Sequence, residues 1–67
     1  MAVKVKERPA PQAYSITDTA ALLNRGRDAV YTLIRHGELV TVPIGARDMV
    51  TAASIRELLG LAPGTPL

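Results

Sequence analysis

The chain has 67 residues, with 8 Lys+Arg against 6 Asp+Glu for a formal charge of +2, no cysteine and one histidine. That length holds one domain with a small core, so apolar burial and lost chain entropy lie close to balance. The absence of cysteine excludes disulfides and thiolate zinc sites, and no apolar run approaches the roughly 20 residues that span a bilayer.

The opening stretch MAVKVKERPAPQA has charges but no apolar centre, so it does not read as a secretory signal, and a soluble cytoplasmic protein is expected. Residues 1–13 read as a disordered basic arm or a solvated leader: Lys4, Lys6 and Arg8 against Glu7 give it +2 by itself. From Tyr14 onward the five arginines (Arg25, Arg27, Arg35, Arg47, Arg56) and five acids cancel. Net charge therefore says little about a partner. Its distribution says more, because Arg25, Arg27 and Arg35 meet only Asp28 within one short stretch.

A first helix is predicted over about Ile16–Leu23. Ser15 is the N-cap, with Asp18 as a short capping box, and Ile16, Ala20 and Leu23 share one face with Leu22 beside them. Asn24 tolerates the left-handed conformation that stops a helix. A second helix follows Gly26 and runs to about His36. Ala29, Val30, Leu33 and Ile34 form its buried stripe, opposite Arg27, Asp28, Tyr31, Thr32 and Arg35, and Gly37 ends it. Two amphipathic helices joined by only Asn24, Arg25 and Gly26 are the mark of a helix-turn-helix.

Val40, Val42 and Ile44 then alternate with Thr41 and Pro43, a strand pattern that the proline confines to a sheet edge. Gly45-Ala46-Arg47 makes a turn, Asp48-Met49-Val50 returns as a second strand, and a third helix covers about Ala52–Leu59 with Thr51 or Ser54 as cap. Ile55, Leu58 and Leu59 are expected to close the core, and residues 61–67 read as a flexible tail after Gly60. The expected fold is mainly α with a small β-hairpin, a winged helix-turn-helix over residues 14–60.

That order puts an arginine-bearing helix outside with a hairpin beside it. A helix fits the major groove of B-DNA, and a hairpin tip reaches the neighbouring backbone or minor groove. The expected DNA-binding residues are Arg25, Arg27, Asp28, Tyr31, Thr32, Arg35 and Arg47. Tyr31 reads equally as a core residue or a phosphate contact. The lone His36 has no second histidine or cysteine with which to form a metal site or a triad, so neither catalysis, a metal nor a cofactor is expected.

The stretches Tyr14–Asn24, Arg27–Leu39 and Val42–Gly45, above all Val30-Tyr31-x-Leu33-Ile34-Arg35-x-Gly37-Glu38-Leu39 followed by Ile44-Gly45, resemble the excisionase-type winged helix-turn-helix family. Related to MerR-type DNA-binding domains, this family includes phage and plasmid excisionases and AlpA-like regulators. The resemblance covers about Tyr14–Leu59. It implies a recognition helix over residues 26–36, a wing over residues 44–50 and double-stranded DNA as partner. It also implies copies that self-associate on attachment-site DNA, bend it and direct a site-specific integrase toward prophage excision, in a bacterial or phage-infected cell. The wing departs from the family's arginine-rich pattern: Pro43, Ala46, Asp48 and Met49 leave Arg47 alone, which throws more of the binding onto Arg25 and the arm. A small AlpA-like transcriptional regulator is the alternative in the same physical class. A protein-interaction adaptor without DNA binding is the alternative outside it.

Overall fold

The computed structural model describes residues 12–67. The basic arm therefore lies outside the described residues, apart from Gln12 and Ala13. The elements run β1 (Ala13–Tyr14), α1 (Ile16–Leu23), α2 (Arg27–Arg35), β2 (Thr41–Ile44), β3 (Arg47–Thr51) and α3 (Ala52–Leu59).

Local chemistry fixes most of these boundaries. The Ser15 hydroxyl oxygen accepts from the Asp18 N–H at 3.0 Å, satisfying one of the donors that a helix start leaves free. Thr19 is fully buried and donates its hydroxyl to the Ser15 carbonyl at 2.8 Å, so a polar residue occupies the core face at low cost. Asn24 sits at φ 56, ψ 42 and ends α1 as expected. Only Arg25 and the N-cap Gly26 then separate it from α2. Past α2, Gly37 adopts φ 78, where a residue with a Cβ is strained. The N–H groups of Glu38 and Leu39 return to the Leu33 carbonyl at 2.9 and 3.3 Å. That reversal drops Leu39, 2% exposed, into the core beside Ala20, Val30, Val50 and Ile55.

The hairpin is part of a three-stranded antiparallel sheet of order β1-β3-β2, not a separate two-stranded wing. Ala13, assigned to the arm from sequence, pairs with Thr51, and Tyr14 pairs with Val50. The Ala52 N–H donates to the Gln12 carbonyl at 2.9 Å and extends that ladder. β2 and β3 join through a two-residue turn with Gly45 at φ 62, the positive φ that a type II′ connection needs at its first position.

Register decides which side of the hairpin faces in. Thr41 lies opposite the fully buried Val50 and Pro43 opposite Asp48, so these four share the inner face. The apolar alternation of Val40, Val42 and Ile44 is a strand signal, but it lies on the outer face, and Val40 and Ile44 are each 52% exposed. The core position that the pattern left open is taken by Leu39, just before the strand. Leu22 and Leu59, expected near the core, are exposed as well. The Thr51 N–H donates to the Val40 carbonyl, so Val40, Val42 and Ile44 bond toward β3. Thr41 and Pro43 therefore turn their amide positions to the open edge, where the missing N–H of Pro43 costs no ladder bond.

Thr51 caps α3, its hydroxyl oxygen accepting from the Ser54 N–H at 3.2 Å. Ser54 is 6% exposed; its hydroxyl donates to the Thr51 carbonyl at 2.9 Å and accepts from the Val40 N–H at 3.1 Å. One hydroxyl thus ties the entry of β2 to the start of α3. Ser54→Ala leaves the Val40 N–H without that partner and is expected to cost about 1–3 kcal/mol. For a domain of this size the thermal midpoint should fall by roughly 4–8 °C per kcal/mol. An unchanged melting curve would show that the linkage carries no stability.

Residues 61–67 also depart from expectation. The chain turns at Pro63–Gly64, and the buried Arg56 Nε donates to the Thr65 carbonyl at 2.7 Å. Leu67 packs against the core cluster. The tail is docked on α3 because a buried guanidinium must find an acceptor, and the turn supplies one.

Candidate nucleic-acid interface

At 100° per residue, Arg27, Tyr31, Arg35, Asp28 and Thr32 span one continuous arc of α2, and Val30, Leu33 and Ile34 lie on the other. Val30 is fully buried, whereas Arg27, Asp28 and Arg35 are exposed and Tyr31 is 49% exposed. The tyrosine is therefore a surface residue rather than part of the core. The helix keeps its charged side outward because its apolar stripe is held by α1 and the sheet.

The seven expected contact residues do not form one surface. Arg27, Tyr31 and Arg47 line a single concavity of about 430 Å³ between α2 and the inner face of the hairpin. Ser15 and Thr17 at the start of α1, and Asp48, line it as well. Arg25 and Thr32 lie instead on a second hollow with Leu23, Ala29, Leu33 and Leu58. Arg25 is close in sequence to the recognition arginines, but the inter-helix turn carries it to another side. The extra binding assigned to Arg25 to offset a weak wing does not fall on the surface shared by Arg27 and Arg47.

A short chain of bonds runs along the crest of α2. The Thr32 hydroxyl donates to the Asp28 carbonyl at 3.0 Å, and its oxygen accepts from Arg35 Nη2 at 3.2 Å. Arg35 is thus steered from within its own helix. Among the described residues, the side chains of Arg25, Arg27 and Arg47 have no hydrogen-bond or ion-pair partner.

Asp48, Ser15 and Thr17 were not singled out as site residues from sequence. For Asp48 a signal existed: it is two residues from the buried Val50, and strand alternation puts both on one face. His36 is exposed at the C-cap of α2. No group of three or more His, Asp or Glu among the described residues is arranged to hold a metal ion. No helix among them is long and apolar enough to cross a membrane.

The element order, the three-residue inter-helix turn and the hairpin packed beside the second helix make this a winged helix-turn-helix. No family model matches the sequence, and no curated protein aligns with it.

Proposed function

We propose that the chain binds duplex DNA with α2 in the major groove and the β2–β3 hairpin as wing. In this reading it acts as an excisionase that directs a site-specific integrase and performs no catalysis itself. The observation that carries DNA binding is the pairing of an outward, arginine-bearing helix face with a wing-tip arginine on one concave surface, Arg27 and Tyr31 from α2 and Arg47 from β3. A basic helix alone is commonly a solvated face. A basic helix whose concave flank is completed by a second basic element matches a strand of DNA running beside the groove.

The excisionase role rests on the resemblance over Tyr14–Leu59 and on size. One such module buries about 600–1,000 Å² on DNA, little for tight binding by itself. Bending a short site costs on the order of 1–6 kcal/mol, which adjacent copies offset together. Cooperative binding of several copies is the expected mode.

A salt titration on short duplexes tests DNA binding directly. Log K is expected to fall linearly with log[salt] by about 0.9 per phosphate contacted. Duplexes carrying two adjacent sites should give stepwise, cooperative shifts. An adaptor that binds only protein shows no duplex affinity at low salt, and that result would refute the proposal.

A further inference from the structure

The hollow between α2 and the wing allows the contacts to be divided by role. We infer that it seats one backbone phosphodiester of the duplex, clamped between Arg27 and Arg47, and that Arg35 is the residue that reads a base edge. This rests on the DNA-binding reading above and assigns the parts within it.

Two arginines from separate elements line the hollow, Arg27 from the first turn of α2 and Arg47 from the first position of β3. Neither is engaged within the described residues. Other donors stand beside them: the Tyr31 and Thr17 hydroxyls, and Ser15, whose oxygen accepts from Asp18 and whose proton is still free to donate. Guanidinium and hydroxyl donors around one space match a phosphate, which offers only acceptors. The hollow, about 430 Å³ and open to solvent, leaves room for a phosphodiester with its flanking sugar and does not close around a bare ion.

Arg35 lies eight residues beyond Arg27, roughly 12 Å further along the helix, and does not line the hollow. Its Nη2 is held by Thr32, itself fixed to the Asp28 carbonyl. One of five donors is used for orientation, leaving the fork for two parallel bonds. A fixed fork suits the paired acceptors of a guanine edge, whereas a phosphate needs no such orientation.

Asp48 places the one carboxylate of the lining in the same space. It opposes an incoming phosphate and weakens the clamp on every sequence equally, leaving discrimination to the crest of α2.

The test uses the full chain, random-sequence duplexes and a duplex enriched from that pool by repeated binding, with anisotropy measured across a salt series. Arg27→Ala and Arg47→Ala should lower affinity by the same factor on both duplexes. Combined, they should remove about 0.9 from the salt slope, the increment of one phosphate. Arg27→Lys should retain the slope. Arg35→Ala should lose roughly 5- to 150-fold on the enriched duplex and far less on the random pool. Asp48→Asn should tighten both.

A combined slope loss near twice that increment means two separate phosphates and overturns the clamp. Lost discrimination in Arg27→Ala with the slope intact overturns the division of roles, as does Asp48→Asn binding no tighter than the unmodified chain. Melting curves for each exposed-site variant show that the fold is retained. If the unmodified chain binds neither duplex at low salt, the DNA-binding reading itself fails; binding with the wrong pattern fails only this inference.

Discussion

Duplex binding by the Arg27→Ala/Arg35→Ala variant is expected to fall about a thousandfold while its melting curve stays within error of the unmodified chain. The two side chains stand roughly 12 Å apart along α2 and share no partner, so their effects should add. Each charged contact is worth about 1–3 kcal/mol, or about 4 kcal/mol together. A single small module has little other surface with which to compensate. Stability should not follow. Both residues are exposed, alanine favours a helix, and among the described residues the one side-chain bond removed is the Arg35–Thr32 contact at the surface. Gel shifts and thermal melts on the same preparations separate the two quantities. A retained shift in the double variant would remove α2 as the reading element.

The largest loss of stability is expected at Ile55. Its side chain is fully buried on α3, in the cluster with Ala20, Val30, Leu39 and Val50 that holds both helices of the turn against the sheet. Ile55→Ala removes transfer energy and leaves a cavity, together about 2–5 kcal/mol. At roughly 0.05–0.15 kcal/mol per residue, a folded unit of about fifty residues is stable by only about 3–8 kcal/mol. The variant should therefore be substantially unfolded near 37 °C, and circular dichroism should show the loss of helix. Ile55→Val, at about 0.5–1.5 kcal/mol, should remain folded with a lowered midpoint. Equal midpoints for the alanine variant and the parent would mean that this cluster is not the core.

The helices were legible because their signals are local. Ser15, Asn24 and Gly37 act within a turn of where they stand, and the 3.6-residue spacing of Val30, Leu33 and Ile34 fixes the outward side of α2. What the sequence left hidden depends on distant partners. β1 has two residues and exists only because β3 pairs with it. Alternation across Val40, Val42 and Ile44 shows a strand but not its orientation, which the reversal at Gly37 and the burial of Leu39 decide. The tail docks through the bond from Arg56 to Thr65 and the packing of Leu67, with no periodicity to announce either. At the site, the α2 contacts follow from the helix period. The separation of Arg25 from Arg27, and the meeting of Arg27 with Arg47 and Asp48, require the packed fold.

Pro43 has a consequence for how concentrated solutions of the chain behave. Exposed valine and isoleucine at the open side of an edge strand are the ingredients of fibril growth, in which one molecule's sheet is extended by the next. The imino acid sits at the rim where an incoming strand would look for a donor and finds none. Neighbouring copies can thus be concentrated in solution without zippering into amyloid.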